Sequence, residues 1–194
     1  MKKVIIVMLI ALIIPACIFA GRGLFDLTLG AAASTTYTPN KIQNGDLENF
    51  KFGDITWGLD TELKIAFAAV DAKVMYAPED KAIYGNVSAN LALDIFFVRV
   101  KAGLGYEYSY DLEGKAIKYG NLNGNVTSFE DFKDAAFDIN VGVDFLLGDL
   151  TIGAYANLPT STTITNQDWA GVFNNAKEHW GDAQIGLVVG IALL

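Results

Sequence analysis

Cysteine is almost missing from this chain: Cys17 is the one residue of its kind among 194. Histidine is equally scarce, with His179 alone. Basic side chains are few, 14 Lys and Arg against 22 Asp and Glu, so the net charge is -8. Beyond the first twenty residues no apolar run approaches the roughly 18 residues that a membrane-crossing helix needs. Each shortage removes a class of function. An acidic chain has no basic footprint for nucleic acid, so that partner is excluded. Without clustered cysteine and histidine the sequence offers no metal site, and nothing in it calls for a cofactor. Yet 52% of the residues are hydrophobic and 19% are charged, an apolar balance for a soluble domain. That apolar content must be spread thinly along the chain.

Residues 1–20 account for part of it. Lys2 and Lys3 precede an apolar core over 4–14, Pro15 breaks it, and Ile18-Phe19-Ala20 ends on a small residue. This reads as a secretory signal cleaved after Ala20, leaving one domain over 21–194. The competing reading is a lipoprotein-like box, Ile14-Pro15-Ala16-Cys17, which would make Cys17 a lipidated first residue. Cleavage after Ala20 removes Cys17 and two lysines but no acid, taking the charge from -8 to -10. Disulfides, thiolate nucleophiles and cysteine metal sites are then all excluded.

The rest of the apolar content alternates. Over 98–110, "VRVKAGLGYEYSY", the even positions Val98, Val100, Ala102, Leu104, Tyr106, Tyr108 and Tyr110 are apolar or aromatic. The odd positions are Arg99, Lys101, Gly103, Gly105, Glu107 and Ser109. The same period of two recurs over 24–37, 53–64, 69–77, 83–95, 135–145, 150–158 and 183–194. Eight period-two segments, with no comparable helical pattern, predict eight strands. Each is about as long as a tilted strand crossing a bilayer, roughly 9–11 residues. Short links at 65–68, 96–97 and 146–149 alternate with long polar stretches at 38–52, 111–134 and 159–182. The link at 78–82 is short but falls on the long-loop side.

Three features predict that the polar parity faces inward. It carries glycine at Gly30, Gly58, Gly103, Gly105, Gly142, Gly153, Gly186 and Gly190, where a soluble surface prefers lysine and glutamate and a narrow eight-stranded lumen needs small residues. The apolar parity grades into aromatics at both ends: Trp57, Tyr76, Tyr106, Tyr108, Tyr110 and Phe137 toward the long loops, Phe25 and Phe145 toward the turns. Two such girdles mark membrane interfaces. Finally, Asp26, Asp60, Glu62, Lys64, Asp71, Lys73, Arg99, Lys101 and Asp144 all fall on the polar parity near the short turns. Within a narrow lumen they must pair, because an isolated buried charge is costly. Adjacent strands bring Glu62 and Lys64 toward Asp71 and Lys73, and Arg99 and Lys101 within reach of Asp144 or Asp26. Above these charges the lumen is lined by small residues, and whether it is filled or hollow separates a scaffold from a pore.

Strand number, loop asymmetry and parity together resemble the small eight-stranded outer-membrane barrels, such as the OmpA membrane domain, OmpX and OmpW. The resemblance spans 21–194 and is architectural, so no functional residue carries over. It implies an all-β, eight-stranded antiparallel up-and-down transmembrane β-barrel in a bacterial outer membrane, with periplasmic termini and outer-membrane lipid around it. These families usually end on an outward aromatic, whereas here the stripe ends on Leu193. A different assembly signal, or a bulge near the end, is implied.

The expected role is non-enzymatic and lies in the exposed loops: contact or adhesion to host or envelope macromolecules, or envelope integrity. Phe129, Phe132, Trp169 and Phe173 are the candidate loop contacts, with packing of the loops or lipid headgroups as their other uses. The alternative is a narrow OmpW-like path for a small apolar or ionic solute. More remote are a soluble lipocalin-like binder and a lipid-modifying enzyme using His179 with Ser161 or Ser109, for which no local motif speaks. Residues 121–125, Asn-Leu-Asn-Gly-Asn, fail the spacing of a calcium loop and read as a polar turn.

Overall fold

The computed structural model describes residues 23–35, 39–45, 50–119, 128 and 130–194. The signal segment with Cys17, the 121–125 turn and Phe129 lie outside the described residues. Nine strands are described: β1 Phe25–Thr35, β2 Ile55–Ile65, β3 Ala68–Ala77, β4 Ala82–Ile95, β5 Val98–Asp111, β6 Ala116–Tyr119, β7 Asp138–Leu147, β8 Leu150–Pro159 and β9 Gln184–Ala192. Eight of them form a closed antiparallel barrel in up-and-down order, β1-β2-β3-β4-β5-β7-β8-β9, and β9 returns to β1 with Thr28 opposite Ala192. Closure leaves the ring no free edge.

The three tight turns share one construction. Each joins its strands through two residues, Ala66-Phe67, Phe96-Phe97 and Gly148-Asp149, with φ of 54°, 57° and 65° at the first. A positive φ there is the mark of the primed turns whose twist matches the strands they join. The chain enters and leaves at this same end: the Ala66 amide donates to the Leu24 carbonyl and the Leu193 amide to the Leu27 carbonyl. The longer connections gather at the opposite rim.

Two features there depart from the polar loops read in the sequence. β5 outgrows the ring, pairing with β7 only over Val98–Gly105, and its far end, Tyr108–Asp111, pairs with β6 instead. The segment 111–134 therefore begins as an arm of sheet. The segment 159–182 contains a short helix, and another follows β1: these are α1, Pro39–Gln43, and α2, Val172–Glu178. Elements of five and seven residues are too short for a 3.6 period to show itself. Among the described residues no helix is long and apolar enough to cross a membrane.

Burial is inverted relative to a soluble barrel. The alternation sends Thr28, Asp60, Lys64, Ser88, Asn140 and Thr151 inward, each at most 4% exposed. It leaves Leu59, Leu91, Leu187 and Ile191 between 58% and 71% exposed on the outside. Little apolar core forms within: Ala32, Met75, Tyr155 and Val188 make one small buried cluster. Outside, aromatics pair at both ends, Trp57 edge-on to Tyr76 at 6.2 Å near the loops and Phe97 stacked on Phe145 at 6.4 Å near the turns.

Candidate functional site

Two regions concentrate polar chemistry and large side chains: the charged interior, and the rim where loops fold over the wall. In the interior, β5 stands four strands from β1 in either direction round the ring. Arg99 therefore starts from the wall facing β1 and crosses the lumen. Its Nη2 donates to Asp26 Oδ2 of β1 at 2.7 Å, and its Nε to Asp94 Oδ1 of β4 at 2.7 Å. Its Nη1 donates to Glu62 of β2. One planar guanidinium so binds three carboxylates on three strands, which suits its rigid fork of donors.

Lys101, two residues along β5, also binds Glu62, and its Nζ lies 3.2 Å from Asp71 Oδ2 and 3.0 Å from Asp144 Oδ2. Lys73 bonds to Asp71, lies 3.2 Å from Asp60 and sits 4.6 Å over the Tyr155 ring. Lys64 turns toward the strand ends instead of toward Asp71, reaching Asp94 at 3.1 Å and donating to the Gly23 carbonyl at 3.2 Å. The nine charges singled out in the sequence thus meet in one network with exposures of 0 to 7%. Asp94 joins them at 1% exposed and links Arg99 to Lys64. It shares their parity and stands opposite Arg99 across the Phe96-Phe97 turn, a signal already present in the sequence. Four cations face six carboxylates here, and burial makes each cation's attachment to several partners necessary.

Above this plug the interior is polar but filled. Asn140 donates to Asn157, whose Nδ2 donates to Gln184 Oε1 at 3.3 Å. Tyr155, on the inward parity of β8, reaches across so that its hydroxyl meets Met75 Sδ at 3.5 Å. Several inward glycines are the places where neighbours enter. The Tyr155 ring lies over Gly186, Asp144 lies over Gly153, and the Lys101 stem lies 3.1 Å from where a Gly142 Cβ would stand. At Gly30 the reason is backbone, since a Cβ there would meet the Val189 carbonyl oxygen at 2.6 Å. A cavity of about 10 Å3 remains, lined by Lys73, Tyr84, Asn86, Glu107, Tyr155 and Gln184 among others, room for one water. Asn86, 5% exposed, has no side-chain hydrogen-bond partner among the described residues, and such a water would satisfy it.

At the rim, the loops fold down onto the outside of the wall. Val172 and Ala176 of α2 pack against Ile139, with Leu104 and Leu158 beside them. An aromatic row runs alongside: Phe132 lies 5.5 Å from Tyr106, Tyr106 lies 4.3 Å from Phe137, and Phe137 lies 5.3 Å from Trp169. Phe132 and Trp169 are thus engaged in packing, although Trp169 keeps 47% of its surface. Phe173 is 75% exposed. The loop 159–182 is braced both internally and against the segment before β7. Thr160 Oγ1 donates to the Phe137 carbonyl at 2.6 Å, Asn166 Nδ2 donates to the Ser161 carbonyl at 2.7 Å, and Thr165 Oγ1 donates to Asp134 Oδ1 at 2.5 Å.

His179 sits in this collar with Nδ1 3.9 Å from Asp182 Oδ2. Among the described residues no hydrogen bond joins it to Ser109 or Ser161, and no group of three or more acidic or histidine side chains is arranged to hold a metal. No protein-family model, curated protein or solved structure matches the chain.

Proposed function

We propose that this chain is an integral β-barrel of a bacterial outer membrane, a closed scaffold whose rim makes contact with other molecules and whose wall meets lipid. The inversion of burial carries the reading. Water outside the barrel would face Leu59, Leu91 and Leu187 while the charges lay hidden within. Hydrocarbon outside reverses the sign of both costs, and a closed ring satisfies the backbone as lipid requires. Aromatic side chains at the two ends of the wall support the same medium. On this reading the short turns and both chain ends face the periplasm and the rim with α1, α2 and β6 faces outward.

The plug supports a scaffold over a transport path. Arg99 and Lys101 cross to carboxylates on β1, β2, β3, β4 and β7, and the cavity above them holds about 10 Å3. The role is non-enzymatic, and contact falls to the rim, where Phe173 and the β5–β6 arm stand out from the wall. Cell fractionation and gel migration test the membrane assignment. The protein is expected in the outer-membrane fraction, with faster migration before boiling than after. Recovery in the soluble fraction, with one mobility, would falsify it.

A further inference from the structure

The geometry points to an acyl-chain site on the outer wall beneath α2, where a lipid is held in place and not merely passing along the belt. It rests on the outer-membrane reading above. Of the four rows of outward side chains that cross β5, β7 and β8, the three nearest the rim shape the site. The uppermost, Leu104–Ile139–Leu158, is all large and supports α2 through Val172 and Ala176. The two beneath, Ala102–Val141–Ala156 and Val100–Val143–Ala154, carry only the smaller alanine and valine. The wall therefore steps inward just below the helix. A hollow of about 300 Å3 opens there between Ala102, Leu104, Ile139 and the helix residues Val172 and Phe173. At Ala102 it meets a shallower trough of about 410 Å3 floored by Ala154 and Ala156.

The occupant follows from the surroundings. Both hollows are lined almost wholly by apolar atoms, and both are continuous with the belt that faces hydrocarbon. From Leu104 to Val100 the trough runs about 14 Å along the strand at ~3.4 Å per residue. With strands tilted roughly 35–45° that is about 10 Å of depth, a third of a hydrocarbon core about 30 Å thick and within one leaflet. Phe173 bounds the hollow and is otherwise an exposed aromatic without a neighbour to cover it. Lys177 follows four residues later, on the same side of α2, and has no ion pair among the described residues. An acyl chain in the trough with an anionic headgroup beside Lys177 satisfies both.

The test uses the full chain reconstituted in vesicles of phosphatidylcholine and phosphatidylglycerol, doped with a phospholipid bearing a photoactivatable diazirine midway along one acyl chain. After illumination, labelled peptides are mapped by mass spectrometry. Label is expected several-fold enriched on peptides carrying Ala102 and Phe173 over those carrying Leu59 and Val70 on other parts of the belt. Ala102→Phe, which fills the step, should bring this down to the belt level. Phe173→Ala, which opens the side of the hollow without touching the barrel, should do the same. Even labelling round the whole belt overturns the site and leaves the membrane reading intact. Absence of label from all of these peptides overturns the membrane reading, and the site with it.

Discussion

Arg99 is the residue on which the interior turns. It is 1% exposed and bonded to Asp26, Glu62 and Asp94, so its loss takes a cation from three buried carboxylates at once, of which Glu62 and Asp94 keep Lys101 and Lys64. Breaking a buried pair by removing one partner costs about 3–5 kcal/mol, because the remaining charge is left uncompensated. Arg99→Leu is therefore expected to lower the urea midpoint of the folded protein in detergent micelles by that order. The double variant Arg99→Leu/Glu62→Leu should recover part of the loss, since it removes one of the carboxylates now in excess over the remaining cations. A midpoint unchanged in Arg99→Leu would mean that the network contributes nothing to stability. Lys73 shows how shape assists charge. Its ammonium bonds to Asp71 while the Tyr155 ring covers its other side, and the cation–π contact replaces some of the water it has lost.

Among the elements, the hairpins hold a small reserve of stability. Ala66 and Phe96 adopt φ of 54° and 57°, a region that costs an L-residue roughly 1–2 kcal/mol. The turn after β7 uses Gly148 at the matching position, where no such cost arises. Ala66→Gly is accordingly expected to raise stability by about 1 kcal/mol, read as a higher urea midpoint, with the barrel unchanged. A lower midpoint would show that the entropy gained by the unfolded chain outweighs the strain relieved. The eight barrel strands were legible in the sequence to within a few residues at each end, because parity reports each strand's two faces directly. β6 was not. Its four residues, Ala116–Tyr119, follow a tight turn and pair with one end of β5, and so short a strand leaves no alternation to read. α2 escaped for a similar reason: its buried face consists of Val172 and Ala176 alone, one pair at helical spacing.

For the whole molecule, the proposed closed scaffold requires that the plug spanning the lumen block conductance. The purified protein in planar bilayers is expected to stay closed. Arg99→Ala/Lys101→Ala removes the two side chains that cross the interior and should produce discrete openings, if the mutant barrel still shows heat-modifiable migration as evidence of folding. Discrete openings in the unaltered protein would favour a transport path over a scaffold. The filling above the plug was only half legible. The glycines on the inward parity left open a hollow lumen, and the structure fills the places beside Gly142, Gly153 and Gly186 with Lys101, Asp144 and Tyr155. No property of a glycine in the sequence tells which neighbour enters its space.

The sequence by itself determined the eight barrel strands, the ring that they make, the face their residues take and the inward placement of the charges. All of these follow from a period of two and from the cost of burying charge alone. Tertiary structure alone decided which charge meets which. Arg99, expected within reach of Asp26 or Asp144, binds Asp26 and adds Glu62, 37 residues away in the chain, while Lys64 leaves its expected partners for Asp94. Those choices depend on ring closure and on the stagger between strands, which set the depth of each side chain along the barrel. The same holds for α2, whose seat on the wall exists only once β5, β7 and β8 lie side by side with Leu104, Ile139 and Leu158 in one row.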